Sequence, residues 1–300
     1  MVTLALDIGG TKLAAGLVDD SGALRHRAEL PTPRADAESI WAAARTLLVD
    51  ALAAAGGTVN SVGISSAGPI DVPAGTVSPI NIVGWQHFPI VERTAELTDA
   101  TVRLGGDGLC MAMGEQWRGA AVGARFLLGM VVSTGVGGGL VVDGAPFHGR
   151  TGNAGHVGHV VVEADGAPCT CGGVGCVETV AAGPWLARWA REHGWQAAPD
   201  ASARELAVDA RRGDPVALQA FGRGADALAR MIASVGAVCD LDRVVIGGGV
   251  ARAGALLFDP LRTALRRYAG LSFLHDLQVS PARLGGDAGL IGAAALGRFG

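Results

Sequence analysis

Residues 152–178, GNAGHVGHVVVEADGAPCTCGGVGCVE, hold two histidines three positions apart, three cysteines within eight residues and then a glutamate. His159, Cys169, Cys171 and Cys176 form a Cys3His set with the spacing H-x9-C-x-C-x4-C. Four such donors complete the tetrahedron of a structural zinc ion, and a site with no open position does not activate water. A redox role is the alternative for the C-x-C pair, and the third cysteine and the histidine argue against it. A second group of residues is notable for lacking side chains. The turns DIGGTK at 7–12, STGVGGG at 133–139 and IGGG at 246–249 each follow an apolar run. Glycines at such turns let backbone N–H groups converge on an anion brought close to them. Three of them predict one nucleotide cleft between two similar halves.

These residues need rigid elements to hold them. LALDIGGTKLAAGLVDDSG at 4–22 and MVVSTGVGGGLVVDG at 130–144 both read as hairpins, two apolar runs around a glycine turn. In ESIWAAARTLLVDALAAAGG, residues Ile40, Trp41, Ala44, Leu47, Leu48, Ala51 and Leu52 share one helix face, with Asp36 as cap and Gly56 and Gly57 as stop. Asp214 followed by Pro215 marks another helix start. The alternation of strands and helices predicts an α/β chain. At 300 residues and 49% hydrophobic content, two domains are expected. One is 1–117, completed by a C-terminal helix at 286–300; the other is 118–285 and carries the cysteine loop.

Composition narrows the partners. The formal net charge is −4 and Lys12 is the only lysine, so no basic footprint for nucleic acid or an anionic membrane is present. The start MVTLALDIGG lacks a basic segment, and the longest uncharged run, 126–142, is short for a membrane span. Five cysteines, an odd number with two isolated, fit a reducing cytoplasm. A small-molecule partner is expected.

DIGGTK, STGVGGG and the run from HVGH through CTCGGVGCVE, in this order, resemble the ROK family of bacterial sugar kinases and regulators. The resemblance extends from Leu4 to the terminal helix. It implies a two-domain actin-like ATPase (ribonuclease H-like) fold with a nucleotide and sugar cleft between the domains. It also implies phosphoryl transfer from ATP to a hexose, usually at the 6-hydroxyl. Regulators of the family carry a helix-turn-helix segment ahead of the kinase-like body; here the first strand begins almost at Met1, so an enzyme is expected, with a non-catalytic sugar-binding regulator as the alternative.

The resemblance also implies roles. Asp7 would hold Mg²⁺ through water, while Gly9, Gly10, Thr11 and Lys12 would take the ATP phosphates. Ser133, Thr134 and Gly135 would form the second phosphate clamp, and Gly247, Gly248 and Gly249 would flank the adenosine. Asp107, in RLGGDGL, occupies the position of the catalytic base, although the local sequence alone reads as a helix cap. Gly68, Asn81, Asp107, His156, His159 and Glu178 would contact sugar, and the zinc loop would brace the last three. A homo-oligomer, dimer or tetramer, is expected by the same resemblance. Two positions depart from the family's glucokinases, which usually carry Asn in place of Gly106 and Glu in place of His156. AGHVGH resembles the family's N-acetylmannosamine kinases, whereas SPINIVGWQHFP at 78–89 resembles its glucokinases.

Overall fold

In the computed structural model, which describes residues 2–299, the opening apolar runs form β1 (Val2–Ile8) and β2 (Lys12–Asp19), followed by β3 (Leu24–Pro31). Helix α1 (Ala37–Ala54) starts where Asp36 accepts the Ser39 N–H at 2.9 Å, and all seven predicted face residues are buried. Gly56 and Gly57, both at positive φ, follow it. Then come β4 (Ser61–Ser66), the short pair β5 (Ile70–Asp71) and β6 (Thr76–Val77), α2 (Ile90–Ala95), β7 (Thr101–Gly106) and α3 (Asp107–Arg118).

The second run of elements begins with β8 (Leu127–Val132), β9 (Val136–Val142) and β10 (Ala145–Phe147). Helices α4 (Glu178–Ala181), α5 (Gly183–Glu192), α6 (Ala203–Arg211) and α7 (Pro215–Cys239) follow. The expected start of α7 is present, with Asp214 accepting the Ala217 N–H at 2.8 Å and Pro215 in the first turn. The chain closes with β11 (Arg243–Gly247), α8 (Ala255–Tyr268), β12 (Gln278–Pro281) and α9 (Ala288–Gly297). Among the described residues no helix is long and apolar enough to cross a membrane.

The chain divides into two compact units, and the division differs from a cut at residue 117. The first unit runs to Arg125, takes in Gly139–Gly155 and resumes at Leu284; the second holds Phe126–Gly138 and His156–Arg283. Side-chain bonding explains why the 139–155 segment joins the first unit. Asn153 accepts from the Ile70 N–H and donates to the Ile70 carbonyl, at 3.1 and 2.7 Å, and Val72 N–H donates to the Thr151 carbonyl at 2.9 Å. Such distant pairing has no periodic signature in the sequence.

The sheet of the first unit has the order β3-β2-β1-β4-β7, with β1 antiparallel to β2 and parallel to β4, and β4 parallel to β7. Its register decides where chemistry can occur. Asp7 pairs with Ser65, which pairs with Gly105, so Asp7 and the β7-to-α3 junction at Asp107 meet one edge of the sheet, beyond the carboxyl ends of its parallel strands. That edge is where open α/β sheets bind ligands. In the second unit β11 is parallel to both β8 and β12, again bringing Val131 and Gly247 level.

Helix α9 packs at backbone distance in the first unit. A Cβ on Gly292 would stand 1.6 Å from the Cys110 carbonyl oxygen, and one on Gly63 would stand 1.7 Å from that of Ala293. No side-chain rearrangement relieves a clash with backbone. Gly292→Ala is therefore expected to cost about 3 kcal/mol, the upper part of the usual overpacking range, measured from the denaturant midpoint; an unchanged midpoint would contradict backbone-limited packing of α9 on α3.

Candidate functional site

In the first unit, the polar pair Ser65 and Ser66 ends a strand that is buried at every position, and Ser65 Oγ donates to Asp7 Oδ1 at 2.7 Å. Burial pushes the Asp7 carboxyl above its ordinary value; the Ser65 bond works against this, and the nearby charge of Asp107 adds to it. The other Asp7 oxygen lies against α9, where a Cβ on Gly289 would be 2.4 Å from Oδ2. A half-buried carboxyl repelled by a second one is a place where a cation relieves an existing cost.

Asp107 is exposed and is the first residue of α3, with Gly106 rather than Asp107 in the cap position. Its Oδ1 accepts the Gly108 N–H at 2.7 Å, at the positive end of the helix. Gly106 has ordinary extended backbone, φ −66° and ψ 150°, and a Cβ there would meet nothing within 4 Å.

The Gly9–Lys12 turn is closed by the Gly9 N–H donating to the Lys12 carbonyl at 3.0 Å, and Thr32 Oγ1 donates to the Gly9 carbonyl at 2.6 Å. Thr11 is exposed at its tip. Lys12 reaches Glu29 Oε2 at 3.3 Å on the neighbouring strand, so its ammonium is already engaged. A Cβ on Gly10 would be 2.5 Å from Asn81 Nδ2, so any larger residue there would have to displace the Asn81 side chain. Asn81 thus lies against the first glycine turn, and Gly68 is tied to the same loop through its carbonyl, which accepts the Ile80 N–H at 3.2 Å.

In the second unit, Ser133, Thr134 and Gly249 line a cavity of about 400 Å³ together with Gly183, Pro184 and Arg191. Gly248, at φ +92°, must be glycine, since a Cβ would be 2.3 Å from the Val132 carbonyl oxygen. The structure therefore brings the second and third glycine turns to one hollow. Two larger hollows, of about 660 and 570 Å³, contain none of the predicted residues. Gly183, Pro184, Arg191, Ser202 and Val250 were not anticipated around this cavity. Arg191 sits on an amphipathic helix, α5, where it reads as a solvated charge.

His159, Cys169, Cys171 and Cys176 converge, their ligand atoms all within 4.8 Å of one another. Cys171 Sγ and Cys176 Sγ are 3.8 Å apart, and Cys169 Sγ is 3.7 Å from His159 Nδ1. A tetrahedron with Zn–S bonds of about 2.3 Å has edges of about 3.8 Å. Donor set and spacing both fit zinc. The Gly173 N–H, 3.4 Å from Cys171 Sγ, and Cys169 hold the Cys171 thiol below its ordinary value, while burial pushes the Cys176 thiol up to about 12. A dication would take all three as thiolates. His156 is exposed beside this set, its ring 6.4 Å from that of His159, and Glu178 lies 3.9 Å from Cys169 Sγ through Oε1.

The model of the ROK family matches residues 3–298. The chain is 38% identical to an N-acetylmannosamine kinase of Citrobacter koseri, over 99% of this chain and 98% of that one. It is 35% identical to a glucokinase of Thermotoga maritima, over 98% and 96% of the two chains. The crystal structure of a ROK family glucokinase from Streptomyces griseus, in complex with glucose and AMPPNP, matches with a TM-score of 0.82 and 34% identity over 100% of both chains.

Proposed function

The chain belongs to the ROK family and has its actin-like ATPase fold, and from this premise we propose that it is an ATP-dependent kinase acting on the 6-hydroxyl of a hexose of the N-acetylmannosamine or glucose type. One observation carries this: Asp7 and Asp107 share the sheet edge that the Gly9–Lys12 turn and Asn81 also border. The relatives named N-acetylmannosamine kinase and glucokinase, and the related structure holding glucose with an ATP analogue, support the choice of substrates.

In the proposed reaction the 6-hydroxyl oxygen bonds to the γ-phosphorus of ATP. The bond from that phosphorus to the β,γ-bridging oxygen breaks, ADP leaves, and the hydroxyl proton passes to the Asp107 carboxylate. Such transfers proceed through a loose transition state, so orienting the hydroxyl matters more than base strength. Asp107 suits that task because its exposed carboxyl is held in place by the Gly108 N–H at the start of α3. The Gly9 and Ser133 N–H groups hold their turns closed, which would leave Gly10 and Thr11 facing phosphate from one turn and Thr134, Gly135 and the Ser133 hydroxyl from the other, while Gly247, Gly248 and Gly249 leave room for the adenosine. Lys12 would have to give up Glu29 to contribute its charge.

Asp7 would hold Mg²⁺, which neutralises phosphate charge during transfer. His159, Cys169, Cys171 and Cys176 would hold zinc as a brace for the loop from which His156 and Glu178 emerge. Gly68, Asn81, His156, His159 and Glu178 are the proposed sugar-side residues. A cytoplasmic homo-oligomer belongs to the same proposal.

The preferred sugar follows from two residues. Glutamate at 156 would only accept hydrogen bonds, whereas neutral His156 can donate from one nitrogen and accept on the other, which suits an acetamido group. Gly106 supplies no side-chain amide for the sugar. N-acetylmannosamine is therefore expected to be phosphorylated in preference to glucose. The space beside Gly106 admits a larger side chain without backbone strain. The double change Gly106→Asn with His156→Glu should accordingly shift the ratio of kcat/KM values towards glucose by about tenfold or more, the scale of one recovered polar contact. A hexose panel, with the phosphorylated carbon located by NMR, tests both points. Wild-type preference for glucose would show that the loop at 78–89 is the better guide to specificity.

A further inference from the structure

Glu178 opens α4 two residues after Cys176, and the function proposed above gives it one task, contact with sugar. Its carboxylate also has a second engagement. Oε2 accepts the backbone N–H of Val136 at 2.8 Å, inside the second glycine turn. A Cβ on Gly135 would stand 2.7 Å from the same Oε2, so the bare backbone at 135 is what lets the carboxylate reach that amide. The turn is otherwise held by the Ser133 N–H on the Gly135 carbonyl at 2.8 Å and the Gly183 N–H on the Ser133 carbonyl at 2.7 Å. On its other side Glu178 is held by the cysteine loop. The Val177 N–H donates to the Val160 carbonyl at 2.9 Å, and Thr179 Oγ1 donates to the Cys176 carbonyl at 2.8 Å.

We infer that Glu178 is a positioning residue for the Ser133–Gly135 turn and couples sugar occupancy to nucleotide affinity. The inference rests on the reading of that turn as a phosphate clamp. An ionised carboxylate has about four acceptor positions, so Glu178 can take a sugar hydroxyl while keeping Val136. A hydroxyl donated to it restricts the carboxylate and, through the shared amide, the peptide between residues 135 and 136. A nucleotide arriving at the ordered turn then has less ordering left to do. Linkage makes the effect reciprocal, so bound nucleotide should tighten sugar binding by the same factor.

The test measures the Kd of AMPPNP by calorimetry on the zinc-loaded full chain, with and without N-acetylmannosamine, and zinc content alongside. Glu178→Gln keeps an acceptor oxygen at the same reach, whereas Glu178→Asp is one methylene too short. In the absence of sugar, the Gln variant should bind AMPPNP within about twofold of wild type and the Asp variant about tenfold more weakly, the scale of one lost charge-assisted hydrogen bond. A residue that only contacted sugar would leave both values unmoved. Gly135→Ala gives the converse test without altering any proposed metal ligand: by displacing Glu178 it should weaken sugar binding severalfold. Wild-type nucleotide affinity in Glu178→Asp, or wild-type sugar affinity in Gly135→Ala, would overturn the coupling and leave nucleotide binding in place. A wild-type chain that binds no AMPPNP would instead overturn the kinase reading, and the coupling with it.

Discussion

Asp107→Asn is expected to lower turnover at least about a hundredfold, the usual scale for losing a positioned acid or base, while leaving the affinities for ATP and sugar within about twofold. The substitution is nearly isosteric, and the amide oxygen can still accept the Gly108 N–H that Asp107 Oδ1 takes at 2.7 Å. The fold should therefore survive, because Gly106 rather than Asp107 caps α3. What disappears is the ability to take the hydroxyl proton. Steady-state kinetics with an unfolding curve on the same sample separates the two effects. Near-normal turnover in a folded variant would remove Asp107 from the role of base.

Loss of the metal should produce the second large effect. One zinc per chain is expected, and stripping it with a chelator, or changing Cys171 or Cys176 to Ser, should weaken sugar binding on the order of 10- to 100-fold, the scale seen when support around a site is removed. ATP affinity should fall less. The loop's other hydrogen bonds are mostly short-range turns and bridges: the Cys169 N–H donates to the Gly173 carbonyl at 2.8 Å, the Gly175 N–H to the Ala167 carbonyl at 3.0 Å and the Val162 N–H to the Gly175 carbonyl at 2.9 Å, and Glu163 pairs with Arg223 at 3.0 Å. A cation bound by these three sulfurs and the histidine nitrogen, all within 4.8 Å of one another, would compensate the thiolates, so its removal is expected to loosen the arrangement. Metal analysis finding no zinc in active protein would contradict this account.

Much of the scaffold was legible in the sequence because it is locally encoded. The seven-residue face of α1, the Asp36 and Asp214 caps and the hairpin of β1 and β2 all follow from periodicity and short-range hydrogen bonding, and all are present. The convergence of His159 with three cysteines follows from spacing, since those residue types seldom cluster without a ligand. What escaped is set by distant pairing. The bond from Val136 to Glu178 spans 42 positions, and neither residue type signals it. The contact of Asn81 with Gly10 depends on a loop without periodicity. The engagement of Lys12 with Glu29 depends on the register of β2 with β3, which places the two strands side by side but leaves no mark on either segment. Assignment of Asp107 needed the family pattern, because an aspartate at a strand-to-helix junction is more often part of a helix start.

The most direct measurement of the central claim is ADP formation by the purified chain with ATP and Mg²⁺, followed as a hexose is titrated. Saturable ADP release that depends on the sugar, strongest with N-acetylmannosamine, and matched mole for mole by a sugar 6-phosphate, is the predicted result. Sugar binding without ADP release, or ATP hydrolysis at the same rate with and without sugar, would contradict it.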